Sequence, residues 1–101
     1  MKEKFDSKYQ EETIILTFDY SKLLAAGETI DSAEWTVSVI AGVDANPSAM
    51  LSGAIAINGS NVSHKILGGI EGVSYQMRAK ATTSLVQILI LVADIDVVPL
   101  P

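Results

Sequence analysis

The chain has 101 residues, a formal net charge of −5 and no cysteine, so it is sized for one domain and excludes disulfides and thiolate metal sites. The acidic balance, with no local basic cluster, excludes the footprint that nucleic acid requires. A mean hydropathy of +0.34 with only 19% charged residues points to protein–protein contact instead of a membrane, because Ile88 to Ala93, the continuous centre of the richest apolar segment, is too short for a spanning helix.

Residues 1–12 alternate charged and polar groups around Phe5 and Tyr9. They are expected to form an extended arm, poorly ordered unless something holds it, ahead of a domain over residues 13–101. No apolar run follows Met1-Lys2-Glu3-Lys4, so no secretory signal is expected. Thr13 to Tyr20 is β-branched and aromatic and reads as a strand, with Ile14, Leu16, Phe18 and Tyr20 turned inward. Ser21 to Ala26 is expected to form one helical or 3₁₀ turn closed by Gly27. A short strand over Glu28 to Ser32 and a second over Glu34 to Ile40 follow, with Trp35 as the core anchor.

Gly42, Asn46 and Pro47 make Ala41 to Ser48 a loop. Leu51 to Ile57 and Asn61 to Leu67 flank Asn58-Gly59-Ser60, a hairpin signal of the type I′ kind. Gly68, Gly69 and Gly72 then lead through Val73-Ser74 to Tyr75. A glycine-rich corner ahead of a tyrosine is similar to the tyrosine corner of immunoglobulin-type sandwiches, where the hydroxyl bonds backbone upstream. Tyr75, Met77, Ala79 and Ala81 alternate with Gln76, Arg78, Lys80 and Thr82, so this strand keeps one face in water.

Thr82-Thr83-Ser84 reads as the last turn and Val86 to Asp96 as the last strand. Here alternation fails, because both faces are apolar. One face belongs to the core; the other needs a cover, most simply a second copy of the chain. Val86, Ile88, Ile90 and Val92 are the expected contact residues, and Phe18, Trp35 and Tyr75 the expected core. Pro99 and Pro101 stop the strand. The pattern as a whole predicts an all-β, immunoglobulin/fibronectin-like antiparallel sandwich of about seven strands.

Chemistry is sparse, and neither a catalytic residue, a metal nor a cofactor is expected. His64, the only histidine, reads as a surface residue, and Ser63 beside it points to the opposite face of a strand. Asp94 and Asp96 share a face, yet no oxygen-rich loop accompanies them to complete a calcium site; they read as solvated charges closing an apolar strand. Glu28 and Asp31 likewise read as solvated. Gly68-Gly69 lacks the Lys-Ser/Thr and the helix of a phosphate loop.

Three ordered motifs carry a resemblance. Thr17-Phe18-Asp19-Tyr20-Ser21, Leu24-Ala25-Ala26-Gly27-Glu28-Thr29-Ile30 and Ser32-Ala33-Glu34-Trp35-Thr36-Val37 occur in that order. Gly68-Gly69, Gly72-Val73-Ser74-Tyr75 and Thr82-Thr83-Ser84 follow. Together they resemble the small fibre–tail adaptor proteins of phage tails and necks, which look like immunoglobulin-type sandwiches. Tyr20 stands where that family usually has tryptophan, and Val86 to Val92 is apolar where it usually carries charge.

The resemblance implies a non-enzymatic phage or prophage virion protein of the tail or neck, assembled in the bacterial cytoplasm. It would associate with itself and with other virion proteins, and with neither nucleic acid nor membrane. The second reading is an adhesion or carbohydrate-binding immunoglobulin-like module, which would present an aromatic platform and belong to a secreted chain.

Overall fold

The computed structural model describes residues 3–101, and among them the chain is built from strands and a single 3₁₀ turn. The strands are β1 (Glu3–Lys4), β2 (Lys8–Tyr9), β3 (Ile14–Asp19), β4 (Ile30–Ala41), β5 (Leu51–Asn58), β6 (Asn61–Ile66), β7 (Ser74–Thr83) and β8 (Ile88–Val98), with the 3₁₀ turn over Pro47–Met50. One sheet runs β1–β8–β7–β4, with β2 also on β8, and the other runs β3–β6–β5. Both β1 and β2 run parallel to β8. Taken as one interrupted strand, they bring the sandwich to the expected number. The pairing of β4, β7 and β8 against β3, β6 and β5 is the two-sheet division of an immunoglobulin-type domain.

The inward set is the one that period-two patterning picks out. Leu16, Phe18 and Tyr20 face Trp35, Val37, Tyr75, Met77, Ala79 and Ala81 across the sandwich, all of them buried. Phe18 packs at a tilt against Trp35 at 5.0 Å between ring centroids, and Phe5 packs against Phe18 at 5.2 Å. The Trp35 indole N–H finds a partner in the Met77 sulfur at 3.4 Å. Burying one such large side chain contributes about 1.5–3 kcal/mol, so these three rings anchor the join between the layers.

The tyrosine corner is present in full. The Tyr75 hydroxyl accepts the Ile70 amide at 2.9 Å and donates to Asp44 Oδ2 at 2.8 Å. It thereby ties the β6–β7 connection to the β4–β5 loop. Gly69 in that connection has φ +91°, and a Cβ there would sit 2.8 Å from a Val97 methyl and 3.0 Å from Met50 Cε. Both the backbone conformation and the close approach require glycine.

Four expectations change. One strand, β4 (Ile30–Ala41), replaces the two expected over Glu28–Ser32 and Glu34–Ile40, with a register break between Ile30 and Ser32; a bulge takes up the extra residue without ending the ladder. In the β5–β6 hairpin Asn58 pairs with Asn61, which leaves Gly59-Ser60 as the two central residues. Only Gly59 has positive φ, +62°. A type II′ turn needs glycine at its first central position, and that replaces the expected type I′ turn.

The last hairpin turns later than expected, since β7 continues to Thr83 and β8 starts at Ile88. Finally, residues 3–9 of the arm are held. Lys4 and Phe5 meet Asp96 and Asp94, and Lys8 is buried, its ammonium donating to the carbonyls of Gly68 at 2.6 Å and Tyr9 at 2.8 Å. Burial pushes the Lys8 amine below the usual lysine range, while the Glu12 carboxylate partly offsets the shift. The arm expectation also covered Met1 and Lys2, which lie outside the described residues.

Candidate assembly surface

Ser63 and His64, the neighbours considered for catalysis, point to opposite faces of β6. His64 lies on the inward face of β6 with Val62 and Ile66 and is buried, against the expectation of a surface residue. Its ring meets the edge of Trp35 at 5.8 Å, and Nδ1 lies 3.0 Å from the Lys65 carbonyl. The reason is parity: even positions of β6 point into the sandwich. Ser63 faces outward and shares a hydrogen bond of 2.8 Å with the Thr17 hydroxyl on β3.

Asp96 is bonded by Lys4 Nζ and by the Ser74 hydroxyl, each at 2.7 Å, and is not the freely solvated group expected of it. Those two donors hold its carboxyl below the usual carboxylate range. Among the described residues, no group of three or more acidic or histidine side chains is placed to hold a metal ion.

What remains is surface. On β8 the even positions Ile88, Ile90 and Val92 face outward and the odd positions Leu89, Leu91, Ala93, Ile95 and Val97 face the core. Ile88 and Ile90 are 59% and 42% exposed. Beside them on the same sheet face stand charged rows: Glu34 and Lys80 level with Ile90, and Thr36 and Arg78 level with Val92. Glu34, Thr36, Arg78 and Lys80 line a shallow depression. The outer face thus changes across its width from a charged trough to an apolar margin.

That margin continues into the β7–β8 turn, where Leu85 is 59% and Val86 83% exposed. Val86 was expected on the strand with Ile88; it sits instead at the hairpin tip with φ +60°. The Val86 amide donates to the Thr83 carbonyl, and the Thr83 amide to the Gln87 carbonyl, both at 2.9 Å. This is the three-residue hairpin loop whose third position is left-handed, a position glycine usually fills. A β-branched residue there is a true conformational outlier and costs on the order of 1–3 kcal/mol.

The tip is nevertheless fixed in place by a buried polar cluster that pattern reading misses. Glu28, expected in solvent, is 7% exposed. Its carboxylate accepts the Ala25 amide through Oε1 at 2.8 Å and the Thr83 hydroxyl through Oε2. Thr83 Oγ1 in turn accepts the amides of Leu85 at 3.3 Å and Gln87 at 3.2 Å. Ser84 and Thr29 exchange two further bonds, Ser84 N–H to Thr29 O at 2.8 Å and Thr29 N–H to Ser84 Oγ at 3.0 Å. The two loops at this end of the sandwich are therefore one rigid block. No sequence signal marks it, because the partners lie 55 residues apart.

Phe18, Trp35 and Tyr75, the expected core, are 1%, 6% and 0% exposed. The expected contact residues divide: Ile88, Ile90 and Val92 share one strand face, and Val86 stands apart at the tip. Among the described residues no helix is long and apolar enough to cross a membrane.

A family model described as podophage GP4 fiber-tail adaptor protein gp77 matches residues 8–92, from β2 into β8. No curated protein matches the chain.

Proposed function

The chain belongs to the podophage fiber-tail adaptor family, and on that premise we propose that it works without catalysis, as a self-associating connector in a phage or prophage tail or neck. Family membership makes it a structural virion component whose partners are other virion proteins. Its mechanism is geometric: a stiff sandwich holds its contact surfaces at fixed positions, so that copies and neighbours meet in one arrangement. Assembly takes place in the bacterial cytoplasm, a compartment that suits a chain without cysteine.

The observation that carries the self-association reading is the exposed apolar margin of β8, with Ile88, Ile90 and Val92 turned away from the core. An apolar face beside charged rows on a small domain marks a contact site. Full burial of each such side chain contributes about 1.5–3 kcal/mol before the costs of association are subtracted. A carbohydrate-binding module is less well supported, since all six aromatic side chains are buried or half-buried and form no exposed platform.

The test is sedimentation velocity of the wild type against Ile88→Lys. Self-association of the wild type that the lysine abolishes, with the β spectrum unchanged, is the expected outcome. A wild type that stays monomeric at high micromolar concentration overturns the reading.

A further inference from the structure

The hydrogen-bond parity of β8 identifies which of its backbone groups are available to a partner. Thr83 N–H bonds Gln87 O at 2.9 Å, and antiparallel ladders alternate bonded with non-bonded pairs. Leu89 and Leu91 therefore bond β7 opposite Ala81 and Ala79, while the pairs Thr82–Ile88, Lys80–Ile90 and Arg78–Val92 are the non-bonded ones. The N–H and C=O groups of Ile88, Ile90 and Val92 consequently point away from β7. Asp94, the next even position, confirms the parity, because its carbonyl accepts the Phe5 amide of the arm at 2.8 Å.

Among the described residues the arm pairs with this side of β8 from Ala93 onward, through Glu3 on Ala93 and Lys4 on Asp94, then Lys8 on Val97 and Tyr9 on Val98. Among the described residues nothing pairs with Ile88 to Val92 on that side. This stretch runs between the hairpin tip at one end and the residues paired with β1 at the other.

Native sheets blunt such edges with charge, proline or bulges, and Ile88-Leu89-Ile90-Leu91-Val92 has none of these. Other edges in the molecule do. β4 breaks register at both ends and carries Asp31 and Glu34. β5 breaks between Ser52 and Ala56, with Gly53 at φ +72°. β3 ends in exposed Thr17 and Asp19.

Resting on the self-association reading above, we propose that this edge pairs with the same edge of a second copy, antiparallel, about a two-fold axis through Ile90. The five residues read almost alike in both directions, so the segment is its own complement. Ile90 meets Ile90, and Ile88 meets Val92, each pair exchanging both of its N–H···O bonds. The outward side chains of the two copies merge into one apolar strip. Leu89 and Leu91, only half-buried in one copy, close over the joined cores. A charged strand fits less well, since it would bring an unpaired charge against apolar side chains on both faces. An isologous contact closes on itself, so this edge builds a dimer, and any larger ring uses another surface.

The chain has no cysteine, so single cysteines report the register without background. A hydrogen-bonded antiparallel pair places Cα atoms about 5.5 Å apart, within disulfide reach. Under mild oxidation Ile90→Cys alone gives a covalent dimer. Ile88→Cys and Val92→Cys give none separately and a mixed dimer when combined. Thr36→Cys, exposed on the same sheet face, gives none.

Ile90→Pro removes an outward N–H that β7 does not use, and a proline is tolerated at such an edge. It weakens the dimer by roughly tenfold to a hundredfold with the β spectrum retained. Sedimentation of the unoxidised wild type separates the two ways of failing. A dimer that Ile90→Cys does not cross-link, or that Ile88→Cys cross-links with itself, overturns the two-fold register and leaves self-association standing. A monomer at high micromolar concentration overturns both.

Discussion

The Thr83 hydroxyl donates to the Glu28 carboxylate in the interior of the sandwich end, across 55 residues of sequence, and the same oxygen accepts two amides of the β7–β8 turn. One side chain thereby links the β3–β4 loop to the hairpin that carries Leu85 and Val86. Thr83→Val keeps the shape and removes the donor, leaving a buried carboxylate short of a partner. The expected cost is about 2–3 kcal/mol, read as a lower urea midpoint at unchanged slope. Glu28→Gln, which retains an acceptor oxygen, is expected to cost less.

Val86 is the opposite case, a residue whose replacement stabilises. Its left-handed backbone at φ +60° carries a β-branched side chain that is almost fully exposed, so little packing is lost on removal. Val86→Gly is expected to raise stability by about 1 kcal/mol or more, seen as a rise of roughly 4–8 °C in Tm for a domain of this size. A Tm that falls would show that the valine is held by contacts within the chain.

Tyr20 contributes to the alkaline side of the stability curve. Its hydroxyl donates to the Ala79 carbonyl at 2.6 Å, and burial pushes its pKa up to about 12 from an ordinary 10.0. The fold holds the neutral phenol while the unfolded chain ionises. Its contribution is therefore complete below pH 10 and declines as pH rises from there through about 12. Lys8 and Tyr75 also titrate in alkali, so the measurement is a difference. The stability gap between wild type and Tyr20→Phe, about 0.5–1.5 kcal/mol at neutral pH from the lost hydrogen bond, narrows above pH 10.

Asp96 contributes on the acid side. Lys4 and Ser74 hold its carboxyl below the ordinary value of 3.8, so its contribution is present above that value and is lost as pH falls through the lowered folded one. The group it secures is the arm, whose Phe5 amide bonds the neighbouring Asp94 carbonyl. Hydrogen-exchange protection of the Phe5 amide is expected to fall in acid in the wild type. In Asp96→Asn it is expected to be lower at neutral pH and flatter below it. An Asp96→Asn profile that matches the wild type would refute the link.

Much of this fold is legible in the chain because a strand announces its two faces by alternation. Leu16, Phe18 and Tyr20 on β3 and Tyr75, Met77, Ala79 and Ala81 on β7 can be assigned inward from spacing alone. The failure of alternation at Ile88 to Val92 marks the exposed apolar margin equally plainly. Gly69 and Tyr75 mark their corner because each meets a local requirement, for positive φ and for a hydroxyl near its own upstream backbone.

Local pattern sees none of the groups whose surroundings come from elsewhere in the chain. His64 and Glu28 look solvated by type, and both are buried by neighbours distant in sequence. The arm looks free, and β8 holds it at Lys4, Phe5 and Lys8. Val86 continues an apolar run, and the turn that Thr83 closes lifts it off the strand. The sequence by itself determined which faces are apolar and where the chain must turn, because side-chain alternation and φ preference act over one to four residues. Tertiary structure alone decided which polar groups are buried together and which residues of β8 the described arm pairs with, because those depend on the packing of one sheet on the other and on the register of the arm along β8.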